Sequence, residues 1–431
     1  MCSCKPLESG ELLNAIRLDP YNDTFRLAEE IDEDLLLDLC NNLLIIDSQR
    51  KVWRFSHLSV TEYFEENHWD LRQAHCHVAK GCLLLLIETY KKSRLESASE
   101  IPNNDLAGNS YADSQKEPHD IFHLEHTLQI YVRHHWIVHV QAEEGQEVDS
   151  ILSRLLKIFL GSPEESSVQY RGWYHQVVSD GWRTRPQTSI FTNITVEEIA
   201  PERTSLFTMC RFSLYILLLD WWVGMEINLS HTNSRGDSLL VLAAAAGSKL
   251  ICEALIKQGI LVNMQLEGRG YGSALAAAAC YGETEIVKFL VQEGKANVNM
   301  LLQSGIWGSA LAAAAAAFWG KIENVKFLVQ EGKADVNMLL QSGIYGSALA
   351  AAALGGNIEI VKFLVNEGKA DVNMVLQSGN YGSALSAAAA GASWKQAEIV
   401  KFLVQEGGVD VKREKVEVAE LLQYQEAVGE K

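Results

Sequence analysis

The sequence predicts a mostly α-helical protein whose C-terminal half is a solenoid of stacked helical repeats. One phrase recurs four times, as YGSALAAAA from Tyr271 and Tyr345, WGSALAAAA from Trp307 and YGSALSAAAA from Tyr381. A second phrase built on VKFLV follows each copy, and the leucine of the first phrase returns every 36 to 38 residues. A period in this range is typical of stacked helical units, because a single unit cannot bury its apolar face alone.

Each unit is predicted to contain two helices. A serine precedes every alanine run, where its hydroxyl can accept from the free N–H groups of a helix start. Alanine favours the helix and has little bulk, so a neighbouring helix can approach closely. The second helix, on EIVKFLV, has apolar residues at helical spacing. We expect left-handed C-caps where this second helix ends, at Gly294, Gly332, Gly368 and Gly407.

The repeated phrases resemble the ankyrin repeat, in the YGSALxAA form that is frequent in large fungal proteins. Two weaker copies lie upstream, from Gly236 to Gly259 and from Thr204 to Asn228, so the resemblance implies about six repeats over residues 201–412. The family's Thr-Pro-Leu-His corner is Ser-Ala-Leu-Ala here, which removes the histidine that normally links neighbouring turns. Residues 413–431 are expected to form a C-terminal capping helix.

Three irregularities are expected to weaken the stack. Extra residues near Phe318 and Trp319, and again near Trp394, predict two loose joints. In the second helix of one repeat, Asn324 occupies the inward position that is isoleucine in other repeats. A buried amide without a partner costs about 1–3 kcal/mol, so we expect this repeat to be less stable than its neighbours.

Residues 1–75 are predicted to form a winged-helix-like domain. Two helical patterns, SGELLNAIRL and EDLLLDLCNNLL, precede the apolar runs LLIID and VWRFSH, whose polar connection predicts a hairpin. Helical spacing then returns in LSVTEYFEENHW. The phrases LCNNLL and RFSHLSVTEYF resemble the winged helix that follows the nucleotide-binding domain of fungal NACHT–ankyrin proteins, which are receptors of the NOD-like type.

Residues 76–200 are predicted to be a helical connector. Its segment 93–120 is rich in Ser, Asn, Asp and Glu, so we expect a mobile loop there. The helical stretch that includes IYVRHHWIVHV resembles the connector between winged helix and ankyrin repeats in the same receptors, and Trp136, His139 and Trp173 fit its aromatic positions.

The bulk composition and the absence of known motifs restrict the function. A net charge of −18 disfavours binding to nucleic acid or to anionic membranes, and the longest apolar runs are too short to cross a bilayer. Eight scattered cysteines and the absence of a signal peptide indicate a cytoplasmic protein. The sequence contains no GxSxG motif, and His68, His75, Cys76 and His77 match no standard zinc spacing. We therefore expect no enzymatic activity, cofactor or metal.

The candidate binding residues lie on the loops that lead from one repeat to the next, called fingers below. Three of these loops, MLLQSGIW, MLLQSGIY and MVLQSGNY, place a methionine and aliphatic side chains near the tip, where an apolar row typically marks a partner surface. The alternative is that these side chains pack against one another between fingers. The residues predicted to bind a protein ligand are Met300, Leu301, Leu302, Ile306, Trp307, Met338, Leu339, Leu340, Ile344, Tyr345, Met374, Val375, Leu376 and Tyr381.

Two functional hypotheses remain open. In the first, the chain is a non-enzymatic interaction scaffold that resembles the sensor half of a fungal NOD-like receptor, with a separate NACHT-type protein as a further partner. In the second, the chain is the C-terminal fragment of a NACHT NTPase switch whose nucleotide-binding domain the gene model lacks. The chain has no GxxxxGK[ST] loop. A genomic sequence upstream of Met1 that encodes such a loop in the same reading frame would favour the second hypothesis.

Overall fold

The computed structural model describes residues 18–19, 26–27, 36, 44–47, 49, 52–55, 71–91, 122–124, 126–145, 147–180, 194–201, 204–223, 227–316, 321–391 and 394–410. These residues fall into two units. The first comprises those within Met1–Ser205 and Leu214–Met225, and the second those within Leu206–Ser213 and Glu226–Lys431. Helices dominate the described residues and the strands are short, which confirms the mostly α class.

Two antiparallel strand pairs lie in the N-terminal region, β1 (Leu18–Asp19) with β2 (Arg26–Leu27) and β3 (Leu44–Asp47) with β4 (Val52–Phe55). The second pair is the hairpin that the apolar runs predict. The helices expected around it lie almost entirely outside the described residues, as do the loop 93–120 and the capping helix 413–431. The winged-helix domain therefore stays a prediction.

The first unit is built mainly from helices of the connector region. Its helices are α1 (Leu71–Thr89), α2 (Thr127–Gln141), α3 (Ser150–Leu160), α4 (Val168–Ser179) and α6 (Leu219–Val223), with a 3₁₀ turn at Val196–Ile199. Trp136 and Trp173 are fully buried and pack edge to face, with their ring centroids 5.7 Å apart. The Trp173 indole N–H donates to the carbonyl of Arg133 at 3.0 Å, which satisfies the buried ring nitrogen.

The second unit contains α5 (Leu206–Arg211) followed by five helix pairs. Their bounds are α7 (Leu239–Ala245) and α8 (Lys249–Lys257), α9 (Ala274–Tyr281) and α10 (Thr284–Gln292), α11 (Ala310–Ala316) and α12 (Ile322–Gln330), α13 (Ala348–Leu354) and α14 (Ile358–Asn366), α15 (Ala384–Ala389) and α16 (Trp394–Gln405). The repeat copy at Thr204–Asn228 comes first along the chain and matches the repeat pattern least well. It is divided between the two units, because α5 lies in the second unit and α6 in the first.

The first helices of the pairs begin as the sequence predicts. Each serine before an alanine run accepts from the backbone N–H three residues later, at 3.1 Å for Ser273, Ser309, Ser347 and Ser383. Most of the alanines behind them are buried, and the first helix of one repeat packs on the first helix of the next. Small side chains allow this close stacking, so the alanine runs are structural.

The ends of the second helices differ from the prediction. The expected C-cap glycines do not have positive φ; instead the next residue does, with φ of +56° to +58° at Lys295, Lys333 and Lys369. The glycine is needed for space, since a Cβ on Gly332 would lie 2.9 Å from the carbonyl oxygen of Leu328. Each lysine Nζ donates to a carbonyl at its own helix end, as Lys333 does to Gln330 at 2.6 Å.

In the third complete repeat, Asn324 lies at the inward position of the second helix, as the sequence predicts. Asn324 on α12 is 0% exposed, and neither its Oδ1 nor its Nδ2 has a hydrogen-bond partner among the residues that the structure describes. The equivalent positions in other repeats are Ile286, Ile360 and Ile399, all buried. The polar amide has therefore replaced an apolar side chain in the core of the stack.

Candidate protein-binding surface

Each finger is closed by one backbone hydrogen bond across its loop. The N–H of Leu302 donates to the carbonyl of Gly308 at 3.0 Å, and Leu340 and Leu376 make the same bond to Gly346 and Gly382. The glycines of the first two bonds have φ of +74° and +76°, a conformation that other residues rarely adopt. The fingers are therefore defined loops with a repeated geometry.

Asparagines join the base of each finger to the next. Asn299 donates through Nδ2 to the carbonyl of Lys333 at 3.1 Å and accepts through Oδ1 from the N–H of Asp335 at 2.7 Å. The same two bonds are made by the other members of this asparagine ladder, Asn263, Asn337 and Asn373. The left-handed lysines are part of the ladder, since their carbonyls are the acceptors.

Removing one member of the ladder should weaken the stack. We expect Asn337→Ala to lower the free energy of unfolding by about 1–2 kcal/mol, because it removes two hydrogen bonds between repeats. Urea denaturation followed by circular dichroism measures the change. Asn366→Ala is the matched control, since that exposed asparagine on the last turn of α14 makes no side-chain hydrogen bond with any described residue. Equal losses in both variants would contradict a role for the ladder.

A second set of contacts joins the fingers nearer their tips. Ser342 Oγ donates to the carbonyl of Leu302 on the preceding finger, and Ser304 and Ser378 repeat this bond one finger earlier and later. Leu340 lies against Gly308, where a Cβ would come within 3.0 Å of the leucine side chain. Backbone and apolar contacts therefore hold the fingers in register.

Five of the predicted binding residues are part of this packing. Leu302, Leu340 and Leu376 are buried against neighbouring fingers, and the rings of Trp307 and Tyr345 stack with centroids 5.8 Å apart and planes 9° from parallel. Burial raises the pKa of Tyr345 to about 12. These five side chains offer almost no free surface. They pack between neighbouring fingers and are not available to bind a ligand.

The other predicted residues lie at the surface. Val375 is 71% exposed, Ile306 45% and Leu339 41%, while the remaining members are partly exposed: Met300, Leu301, Met338, Ile344, Met374 and Tyr381. Leu301, Leu339 and Val375 occupy the same position on consecutive fingers. They form the exposed apolar row of the stack.

Sequence reasoning missed two extensions of this surface. Met264, on the preceding finger, aligns with Met300 when the asparagine ladder is used as the register, although its finger lacks the MLLQSG phrase. Gln303, Gln341 and Gln377 are exposed at matching positions beside the row. The eight residues of each predicted finger include no charged side chain, in a protein whose net charge is −18.

The first unit contains a separate cluster of histidines. His139 is fully buried on α2, with its Nδ1 3.0 Å from Nδ1 of His75 and its Nε2 2.8 Å from the Tyr131 hydroxyl. Burial is the main cause that lowers the pKa of His139 to about 3, and the nearby His75 and His135 contribute to the same shift. The part of the chain that the structure describes contains no group of three or more His, Cys, Asp or Glu side chains suited to a metal ion.

Comparison with known proteins decides the nature of the repeats. A family model described as ankyrin repeats (3 copies) matches residues 206–301 and 311–415, just under half of the chain. The C-terminal half is an ankyrin-repeat solenoid. Ankyrin repeats are protein-binding modules, so the chain carries an interaction scaffold. No curated protein matches the sequence, and no helix among the described residues is long and apolar enough to cross a membrane.

Two solved structures are similar to part of the chain. A crystal structure of an ankyrin-repeat protein is 26% identical over 46% of this chain and 96% of its own, with a TM-score of 0.37. A structure of a predatory endopeptidase from Bdellovibrio bacteriovorus in complex with an immunity protein is 22% identical over 46% of this chain and 96% of the matched chain, with a TM-score of 0.36.

Proposed function

We propose that this chain is a non-enzymatic scaffold that binds a protein ligand through the exposed apolar row of its ankyrin fingers. The observation that carries the proposal is that Leu339 and Val375 are exposed, and Leu301 partly exposed, on fingers whose positions are already fixed by other contacts. The row is therefore not needed to hold the fingers together. Methionines beside it suit a surface that adapts to its ligand.

The chemistry of the row indicates the kind of ligand surface. The finger tips carry no charge, so desolvating them costs less than desolvating charged loops. Burying several aliphatic side chains contributes about 1.5–3 kcal/mol each, and the neighbouring glutamines can pair with polar groups at the rim. An apolar, uncharged face of a protein fits this arrangement better than an acidic or basic one.

The test replaces Leu301, Leu339 and Val375 together by serine. We expect this triple variant to lose partner capture while its helical content and melting profile stay near those of the wild type, because the three side chains are at the surface. Partners are identified by affinity capture with the wild type and cross-linking, then measured with the variant.

The matched control replaces three exposed polar residues on the same fingers, Gln303, Gln341 and Gln377, by serine. This variant should keep most of its partner binding. A triple apolar variant that folds and captures the same partner would show that the row is not the site, and one that unfolds would mean that the row is packing.

The finer assignment rests on sequence resemblance alone. We propose that the chain acts in the cytoplasm as the sensor half of a NOD-like receptor of the fungal NACHT–ankyrin type, without binding nucleic acid or membrane, and that a separate NACHT-type protein is its second partner. An in-frame phosphate-binding loop in the genomic sequence upstream of Met1 would replace this proposal with the NTPase alternative.

A further inference from the structure

The glycine before each helix-capping serine leaves room for a leucine of the next finger. A Cβ built on Gly272 would lie 3.1 Å from Leu302, and one on Gly346 would lie 3.1 Å from Leu376. The last finger breaks this series. Gly382 is exposed, and a Cβ built there would meet no atom within 4 Å. The final finger therefore offers a leucine-sized space on which no described residue packs.

Two backbone acceptors beside this space are also open. Along the stack, the carbonyls of Leu266, Leu302 and Leu340 each accept from a serine hydroxyl of the following finger. The carbonyls of Ile306 and Ile344 each accept from a backbone N–H of the following finger, at 3.2 and 3.0 Å. The next members of the two series are the carbonyls of Leu376 and Asn380, and neither accepts such a bond from any described residue.

The backbone of the last finger differs from that of the covered fingers. Gly272, Gly308 and Gly346 have φ of +74° to +78°, whereas Gly382 lies outside this left-handed region. The covered glycines share one conformation and each receives a leucine. Gly382 can still adopt that conformation, because glycine tolerates it without a steric penalty.

The chain's own continuation lacks the side chains that would complete the series. Asp410 N–H donates to Asn373 Oδ1 at 2.7 Å, as Asp335 N–H does to Asn299 Oδ1, so Asp410 corresponds to Asp335. In the sequence, the residues five and seven positions after Asp335 are Leu340 and Ser342, whereas those five and seven positions after Asp410 are Lys415 and Glu417. A lysine and a glutamate supply neither the aliphatic side chain nor the hydroxyl.

We propose that this open edge of the last finger binds an extended segment of a partner protein with Leu-x-Ser spacing. The leucine lies over Gly382, the serine hydroxyl donates to the carbonyl of Leu376, and the N–H two residues after the serine donates to the carbonyl of Asn380. These are the contacts that each finger already makes with its predecessor. The proposal does not depend on the exposed apolar row or on the ligand that binds there.

The probe is a fluorescein-labelled peptide that copies residues 337–346, NMLLQSGIYG, titrated with the full chain and followed by anisotropy. We expect saturable binding. A peptide with Leu340→Ser should bind about ten- to a hundredfold more weakly, because it loses the buried leucine. A peptide with Ser342→Ala should bind about two- to tenfold more weakly, because it loses one hydrogen bond.

The matching change in the protein is Gly382→Val, which fills the space. It should abolish peptide binding and leave the melting temperature unchanged, since no atom of the described residues lies within 4 Å of the added Cβ. Gly346→Val is the contrasting variant and should lower the melting temperature, because its Cβ would lie 2.6 Å from the carbonyl oxygen of Ser378.

Three results would overturn the proposal. The first is the absence of saturable binding by the wild-type chain, and the second is unchanged binding by Gly382→Val. The third is a fall in melting temperature for Gly382→Val similar to that of Gly346→Val, which would mean that residues of this chain fill the space.

Discussion

Replacing Asn324 by isoleucine is expected to raise the free energy of unfolding of the ankyrin stack by about 1–3 kcal/mol. The amide is completely buried and both of its polar atoms lack hydrogen-bond partners, so the folded state carries its full desolvation penalty. Isoleucine is already accommodated at the equivalent position of other repeats. The midpoint of guanidinium denaturation, followed by far-UV circular dichroism, measures the gain.

The reverse substitution in a neighbouring repeat provides the control. Ile360→Asn places the same amide in the same environment one repeat later, and we expect it to lower the free energy of unfolding by at least as much as Asn324→Ile raises it. A stability loss on Asn324→Ile would contradict the explanation and would mean that the isoleucine is too large for this repeat.

Acid is expected to destabilise the first unit through His139. The pKa of His139 is lowered from 6.5 to about 3 in the folded protein, chiefly by burial, so the unfolded state binds more protons between these two pH values. The contribution of His139 is complete above pH 6.5 and falls as the pH falls. At pH 4 the loss is about 3 kcal/mol for this one group.

The comparison that isolates this effect is His139→Gln, whose amide can still bond to Tyr131 and His75 but does not titrate. Its free energy of unfolding should change less between pH 7 and pH 4 than that of the wild type, as measured by urea denaturation and tryptophan fluorescence at each pH. His231→Gln, at an exposed histidine of the second unit, should retain the wild-type dependence. Identical pH profiles for His139→Gln and the wild type would refute the assignment.

The periodic features of the stack could be predicted from the sequence because they depend on local chemistry. The serine caps, the buried alanine runs and the inward position of Asn324 all follow from spacing along a helix. The sequence predicts the left-handed C-cap at the wrong residue, because Gly332 is needed for close approach to the helix backbone, whereas the left-handed conformation falls on Lys333. Sequence spacing does not separate these two reasons for glycine.

The finger surface could be predicted only in part. The phrase MLLQSGIY shows that aliphatic side chains recur, but it does not show which of them point inward. Leu340 is buried because the preceding finger supplies Gly308 for its side chain to pack against, and Gly308 is 32 positions away in the sequence. Leu339 beside it has no such partner and remains exposed. Contacts between repeats therefore decide the site.

The asparagine ladder has a mechanical consequence. Each rung joins one repeat to the next, so a tensile load applied at the C-terminal end passes through the repeats in series and falls first on the rung at Asn373. Once that rung opens, the terminal repeat can unravel while the others remain loaded and intact. Each repeat then releases about 12 nm of chain, at about 3.5 Å per residue. The stack would therefore lengthen under force in discrete steps.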